Sequence, residues 1–266
     1  MNSNIPIFDS LTHPTLDGNW ILPKHPQKSN IDNLLADMEA NNIIKALAVG
    51  MQEIGAYDEN KYAQFILSKT DKLIPIAFFN INEFSTINEI KNKFKQLKTN
   101  GYKGIKLHPR MGQFSLKNKL LPSIIKLANE IRLTVLFCTY FYSNQNGSYL
   151  NSTENLIQLL ENIDEAEIIL LHSGGVKIFE YMEIARAFPN ILLDLSFTIS
   201  KYEGSSLDLD ISYLFHTFDQ RICIGSDNPQ FSLSKLRERF NFFSKNIAFD
   251  KAENIAYRNI AKFVNY

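Results

Sequence analysis

The segment GYKGIKLHP, residues 101–109, is a short apolar run that ends in polar side chains. Lys106 and His108 are two positions apart, so they share one face of an extended chain. A strand-length apolar run with a polar end is typical of a parallel strand that is covered on both sides. Seven further runs have strand length and β-branched or aromatic content: residues 5–9, 43–50, 72–80, 133–139, 166–172, 190–196 and 221–227.

Amphipathic segments separate these runs. Residues 30–42, NIDNLLADMEANN, place their apolar side chains at helical spacing. Later segments follow the same rule: residues 59–69, 87–98, 120–131, 152–163, 176–188, 209–218, 233–245 and 252–264. Eight strand–helix units predict a single α/β domain over residues 1–266, a (β/α)8 TIM barrel. A doubly wound open sheet is the alternative, but no glycine-rich phosphate loop follows the first strand.

The composition narrows the class of protein. The 266 residues carry 28 basic and 28 acidic side chains, and 45% are hydrophobic. This balance gives no indication of binding to nucleic acid or to a membrane surface. No apolar run approaches the roughly 20 residues of a membrane span, and the start MNSNIPIFDS lacks the pattern of a signal peptide. Cys138 and Cys223 lie in apolar runs, which predicts reduced thiols and a cytoplasmic protein.

Polar side chains gather where the predicted strands end. A TIM barrel builds its site from the C-terminal ends of its strands. The stretch FDSLTHP, residues 8–14, contributes three of these positions and four later strands contribute the rest: Asp9, Leu11, His13, Lys106, His108, Cys138, His172 and Asp227. Each side chain also has a structural interpretation, but the whole set indicates a functional site more strongly than any single residue does. His25 and His216 lie in loop-like and helical contexts and are interpreted as structural.

Four motifs resemble the amidohydrolase superfamily, in its amidohydrolase-related branch of hydrolases, lactonases and decarboxylases. GYKGIKLHP is similar to the strand-four segment of that branch, and LLHSGG (residues 170–175) is similar to its strand-six histidine region. IGSDNP (224–229) resembles the strand-eight aspartate region, and NIAYRNIAKF (254–263) resembles the terminal helix. The order and spacing of these motifs extend the resemblance over almost the whole chain.

The resemblance implies a divalent metal ion, zinc in most members, bound by an Asp-x-His-x-His strand, a strand-five histidine and the strand-eight aspartate. Asp9 matches the leading aspartate and His13 matches the second histidine. Leu11 stands in place of the first histidine, and Cys138 stands in place of the strand-five histidine. Leucine has no lone pair, whereas a thiolate is a good zinc ligand. Two alternatives stay open: a metal held by His13, Asp227 and Cys138, or a lost metal site that leaves an acid–base cluster.

The resemblance also implies an enzyme, with Asp227 as the base that activates water and His172 as the group that polarises the substrate. Hydrolysis of a small cyclic amide, ester or lactone is the first expectation. Lys106, His108 and Arg110 offer positive charge to a carboxylate or phosphate of that substrate. Decarboxylation of an aromatic or unsaturated acid is the alternative reaction. A barrel that has lost its chemistry and binds a small ligand is the non-enzymatic alternative.

The expected partner is a small-molecule substrate, with no nucleic acid and no membrane. Relatives implied by the resemblance are often dimers, so a homodimer is a further expectation. The stretch YFYSNQNGSY, residues 140–149, has aromatic side chains that would either cover the barrel mouth or pack on a neighbouring subunit. If the barrel prediction is right, His172 and Asp227 approach each other across the mouth.

Overall fold

A computed structural model describes residues 2–21, 28–142, 151–163 and 165–264. These residues form one sheet of eight parallel strands in sequence order. The strands are β1 Ile7–Thr12, β2 Ile43–Val49, β3 Leu73–Phe78, β4 Gly104–Leu107, β5 Thr134–Cys138, β6 Ile168–Leu171, β7 Ile191–Asp194 and β8 Ile222–Cys223. The predicted (β/α)8 TIM barrel, nearly closed, is confirmed, and the open-sheet alternative is wrong.

Helices alternate with the strands along the chain. They are α1 Ile31–Ala40, α2 Glu59–Lys69, α3 Ile87–Thr99, α4 Leu121–Glu130, α5 Thr153–Leu160, α6 Ile178–Ala187, α7 Thr198–Lys201, α8 Leu207–Thr217, α9 Leu233–Ser244, α10 Phe249–Glu253 and α11 Asn259–Phe263. Side chains fix several helix starts; Thr86 and Glu89 form a capping box at α3. Within the described residues, no helix has both the length and the apolar character needed to cross a membrane.

The core has two parts because the strands are covered on both faces. Successive side chains of a strand point to opposite sides of the sheet. In β5, Leu136 belongs with Ile76 and Ile169 to the cluster inside the barrel, whereas Val135 and Phe137 belong to the larger core shared with the helices. This double burial explains why the strands are apolar runs and not alternating patterns.

The barrel closes where the chain after β8 meets β1. The Ser10 N–H donates to the Ile224 carbonyl at 3.1 Å, and the Asp227 N–H donates to the Leu11 carbonyl at 2.9 Å. A Cβ on Gly225 would lie 2.4 Å from the Ser10 hydroxyl. The glycine of the IGSDNP motif is therefore required by the close approach of the two chain segments.

The strands differ from the predicted runs at their ends, and β1 and β8 differ most. β1 continues past Asp9 to Thr12, and its register against β2 shifts between these two residues. The uninterrupted strand that would place Asp9, Leu11 and His13 on one face is therefore absent. β8 is shorter than the predicted run 221–227 because the chain beyond Cys223 pairs through its loop with β1.

Candidate active site

The predicted site residues lie at the C-terminal end of the barrel, where parallel register brings neighbouring strand ends to one level. Leu107 of β4 pairs with Phe137 of β5, so His108 follows beside Cys138. Cys138 pairs in turn with Leu171 of β6, the residue before His172. The register alone therefore places the Cys138 thiol between two histidines. The remaining residues of the site approach from β1, β4 and the chain after β8.

His13 is held in one orientation by the backbone and by a ring. Its Nδ1 lies 2.9 Å from the Val49 carbonyl oxygen, which can only accept a hydrogen bond and so assigns the N–H to Nδ1. The Trp20 indole stacks on the imidazole with ring centroids 5.3 Å apart. Burial, together with the charge of Lys106, lowers the pKa of His13. With Nδ1 bound to the backbone, the ring turns its Nε2 to the barrel mouth.

Two charged groups meet at His13 Nε2. The Asp227 Oδ1 lies 3.3 Å from this nitrogen, and the Lys106 Nζ lies 3.4 Å from it. The next contact of the Lys106 ammonium is the Met51 sulfur at 3.9 Å. Burial lowers the pKa of Lys106, whereas the negative charges of Asp227 and Cys138 favour its protonated form. The ammonium thus lies inside the mouth with weak protein partners.

Asp227 is ionised by its surroundings. Burial works to raise its pKa, but His13, His172 and Lys106 outweigh burial and hold that pKa below its ordinary value. Its backbone has φ 56°, in the left-handed region that a non-glycine residue seldom adopts. Strain of this kind is concentrated at functional sites. The geometry thus presents a carboxylate, not a carboxylic acid, to the barrel mouth.

The register of β4, β5 and β6 places the Cys138 thiol beside two imidazoles, those of His108 and His172. Burial alone would raise the pKa of this thiol, but the two histidines outweigh burial and hold it well below its ordinary range. Cys223, the second buried cysteine, has the opposite surroundings, and burial raises its pKa. The chain therefore contains one thiol in a thiolate-stabilising position and one inert thiol.

His172 is oriented from behind by β7. Its Nδ1 lies 3.1 Å from the Ser196 carbonyl oxygen, which assigns the N–H to Nδ1 and turns Nε2 towards Cys138. The Ser196 hydroxyl donates to the Asp194 carboxylate. Burial opposes protonation of His172, but Cys138, Asp227 and Asp194 raise its pKa to about 9. The negative charge of Asp227 is thus one of the causes that raise the pKa of His172. The approach of the two side chains across the mouth stays a prediction.

His108 and Arg110 contribute in different ways. The Met111 N–H donates to His108 Nδ1 at 3.3 Å, which leaves the proton of this ring on Nε2. Burial lowers the pKa of His108. Arg110 is exposed, and its guanidinium lies 5.9 Å from the centroid of the Tyr140 ring. The predicted cationic trio is thus a buried ammonium, a neutral imidazole beside the thiol and a guanidinium on the rim.

Other predicted residues have structural positions. Asp9 is buried and accepts hydrogen bonds from Leu11 and Ser226. Leu11 is buried in the apolar interior of the barrel. His216 lies exposed in α8, and His25 lies outside the described residues.

Sequence reasoning missed the support behind His172. Asp194 ends β7 as a fully buried acid, and it accepts hydrogen bonds from the hydroxyls of Ser10 and Ser196. Its signal was present in the run NILLDLS, where an acid ends an apolar strand just as Asp227 follows one. Trp20 carried no such signal, because a loop tryptophan does not reveal which ring it stacks on.

Aromatic rings pack around the thiol–imidazole side of the mouth. Phe197 lies 5.6 Å from the His172 ring and 5.1 Å from Tyr140, measured between centroids. Phe231 packs on Phe197 at 5.7 Å. Tyr140 belongs to the aromatic stretch 140–149, whose residues 143–149 lie outside the described part of the chain. Tyr140, in the described part of that stretch, packs beside His172. Both predicted roles of the stretch, cover of the mouth and contact with a neighbouring subunit, stay predictions.

The predicted metal ligands do not assemble as a metal site. Within the described ranges, no group of three or more His, Cys, Asp or Glu side chains is arranged to hold a metal ion. His13 turns to Asp227, whereas Cys138 lies between His108 and His172. The Lys106 ammonium, 3.4 Å from His13 Nε2, already places a positive charge beside that nitrogen. The residues present therefore do not fit the divalent metal ion that the resemblance implies.

Comparison with known proteins identifies solved structures with a similar fold. No family model and no curated protein sequence matches the chain. An uncharacterized TIM-barrel protein from Bordetella bronchiseptica superposes with a TM-score of 0.81 at 17% identity, over 98% of each chain. The 5-carboxyvanillate decarboxylase from Sphingomonas paucimobilis gives 0.69 at 12% identity, over 98% of this chain and 99% of its own. Amidohydrolase 2 from Bifidobacterium longum subsp. infantis gives 0.64 at 14% identity, with the same coverage.

The chain has the same barrel fold as these solved structures. The predicted resemblance is thereby confirmed at the level of the fold, and the low identities carry it no further. These neighbours include a decarboxylase as well as an amidohydrolase. Both reaction types of the prediction are therefore represented among proteins of this shape.

Proposed function

We propose that the protein hydrolyses a small ester, lactone or amide that carries a carboxylate or another anionic group. The observation that carries this proposal is the buried ammonium of Lys106 beside the ionised Asp227. Lys106 is only 2% exposed, and its contacts at 3.4 and 3.9 Å are longer than ordinary hydrogen bonds. A buried ammonium whose protons are weakly used favours an anionic ligand.

The other side chains have matching roles. Asp227, held as a carboxylate, accepts a proton from the attacking water. His172, whose pKa is about 9, carries a proton at neutral pH and donates it to the leaving group. Lys106 binds the anionic group, and Arg110 adds positive charge at the rim. The positive charge of the site thus comes from side chains of the chain itself.

The test uses two esters of matched length, 4-nitrophenyl hydrogen glutarate and 4-nitrophenyl pentanoate, of which only the first is anionic. We expect the wild type to prefer the anionic ester, and Lys106→Met to lose that preference by about 10- to 100-fold in kcat/KM, the range of a charge-assisted hydrogen bond. Lys103→Met is the matched control, because Lys103 precedes the same strand and is exposed. The control should keep the preference.

Two results would contradict the proposal. One is a wild-type protein that hydrolyses neither ester, nor a panel of lactones and amides with and without a carboxylate. The other is a Lys106→Met protein that folds, as judged by its thermal unfolding curve, and still prefers the anionic ester.

Decarboxylation of an aromatic acid is the second candidate, and the aromatic rings around the mouth favour it. Tyr140, Phe197 and Trp20 could contact a planar substrate while Lys106 holds its carboxylate. Release of carbon dioxide from hydroxybenzoates, with no ester or lactone hydrolysed, would select this reaction over hydrolysis.

A further inference from the structure

We propose that Cys138 is the nucleophile of this hydrolysis, attacking the substrate carbonyl from its position between His108 and His172. This inference rests on the proposed function and adds a covalent intermediate to it. Neighbouring strands supply the three residues, so the arrangement is fixed by the register of β4, β5 and β6. A nucleophile beside a base that a third group orients is the recurrent design of covalent catalysis.

The two imidazoles are bound so that they serve the sulfur differently. The Nδ1–H of His172 donates to the Ser196 carbonyl at 3.1 Å, so the Nε2 of this ring exchanges a proton with Cys138. The Met111 N–H donates to Nδ1 of His108 at 3.3 Å, so Nε2 of that ring carries the proton and can only donate to the sulfur. One histidine therefore acts as acid and base, and the other stabilises a thiolate.

The other cysteine provides an internal contrast. Cys223 ends β8 inside the barrel, and its sulfur lies 3.9 Å from the Asp194 carboxylate. Negative charge at that distance disfavours a thiolate. Cys138 instead faces two imidazoles and the charge of Lys106. The environment of a nucleophile is thus specific to one of two equally buried thiols.

Access to the sulfur passes the aromatic rings. Cys138 is 1% exposed, and Tyr140 and Phe197 are half-buried rings that pack beside His172. Phe197 has φ 62°, a left-handed conformation that strains a residue with a bulky side chain. Movement of these rings would open the thiol to a substrate that Lys106 holds by its anionic end.

The chemistry balances in two steps. The Cys138 thiolate forms a bond to the carbonyl carbon, the C–O or C–N bond of the substrate breaks, and the leaving group takes the proton of His172. Water then attacks the thioester and gives a proton to Asp227, the C–S bond breaks, and the electron pair returns to sulfur. The proton passes from Asp227 to His172, and the carboxylic acid leaves and ionises in solvent. No oxidant or second substrate is required.

Mass spectrometry of the intact protein tests this inference. The protein is mixed with 4-nitrophenyl hydrogen glutarate and quenched in acid, and any acyl adduct is located by peptide mapping. Asp227→Asn slows the second step, so we expect a thioester on Cys138 to accumulate in that variant with a burst of nitrophenol. Cys138→Ala should lose the adduct and about 100-fold or more of the turnover. Cys223→Ser, the matched control, should keep both.

The outcomes separate the two proposals. Turnover that persists in Cys138→Ala, with no adduct in Asp227→Asn, overturns the covalent step and leaves hydrolysis by direct attack of water. An adduct on Cys138 with no turnover in the wild type supports the nucleophile and overturns the proposed hydrolysis. A protein that forms no adduct and turns over nothing overturns both. An adduct that maps to Cys223, or to a lysine, also overturns the assignment of Cys138.

Discussion

Asp9 and Asp227 are acids on the two sides of the junction between β1 and the chain after β8, and their surroundings give them opposite properties. Asp9 accepts hydrogen bonds from the Leu11 N–H at 3.1 Å, the Ser226 N–H at 2.9 Å and the Ser226 hydroxyl at 2.6 Å. Asp227, the next residue after Ser226, faces His13 and Lys106 instead. One acid thus meets neutral donors and the other meets a cation and imidazoles.

The difference shows which interactions can keep a buried carboxylate ionised. Burial raises the pKa of Asp9 to about 7, although three hydrogen bonds from neutral groups lower it. At Asp227 the histidines and Lys106 outweigh burial, and the pKa falls below its ordinary value. Neutral donors therefore compensate burial only in part, whereas cationic neighbours reverse its effect. Asp9 joins two strands, and Asp227 is available as a base.

The largest expected effect comes from removing the charge of Asp227. Asp227→Asn should lower kcat for the anionic ester by about 100- to 10,000-fold, the range of general acid–base catalysis, because an amide cannot accept the proton of water. Asp9→Asn is the matched control, because the same change is made one strand away. Steady-state kinetics on the two purified variants measures the contrast.

Equal losses in the two variants would contradict the division of roles between the two acids. Activity in Asp227→Asn close to that of the wild type would remove Asp227 from the mechanism altogether. The thermal unfolding curve of each variant separates a loss of chemistry from a loss of the folded barrel.

The sequence predicts the barrel well because strand and helix periodicity are local properties. It also predicts the residues at the strand ends, since the C-terminal ends of parallel strands meet at one rim. It does not predict which side chains pair across that rim. By itself the sequence favours Cys138 as a core residue, and the resemblance adds a metal-ligand role; only the register of β4 and β6 places imidazoles on both its sides.

Asp9 and Asp227 show the same limit of prediction from sequence. Asp9 and Asp227 both follow or end apolar runs, so their sequence contexts are alike. Their ionisation depends on long-range neighbours, Ser226 in one case and Lys106 in the other, which lie more than one hundred residues away along the chain. The shift of register within β1 also cannot be predicted from the sequence, because it arises where the strand pairs with β2.

The second-largest expected effect is that of Asp9 on the free energy of unfolding and its dependence on pH. The native pKa of Asp9, about 7, lies above its ordinary value of 3.8, so the folded state binds the proton more tightly. The free energy of unfolding should therefore fall as pH rises from about 4 to about 7, by roughly 4 kcal/mol at most, and then level off. Asp9→Asn should remove this decline in urea unfolding curves measured at several pH values.

Asp227 should have the opposite effect on how the free energy of unfolding depends on pH, and Asp227→Asn tests this. The native pKa of Asp227 is lowered, so its contribution to stability is present above the unfolded pKa and is lost as pH falls through the native pKa. Wild type and Asp227→Asn should therefore differ at neutral pH and converge in acid. A wild-type decline between pH 4 and 7 that survives in Asp9→Asn would show that another group is responsible.

The smallest expected effect isolates one hydrogen bond of Asp9. Ser226→Ala removes the hydroxyl that donates to Asp9 at 2.6 Å and accepts from the Asn228 N–H at 3.0 Å, while the Ser226 N–H still donates to the carboxylate. We expect a loss of about 1–3 kcal/mol in the free energy of unfolding. The pKa of Asp9 should rise further, so the decline in stability with pH should extend above pH 7. In the Asp9→Asn background the same change should cost less, because the two side chains interact directly. Additive losses would show that Ser226 acts through Asn228 and the neighbouring loop, and not through Asp9.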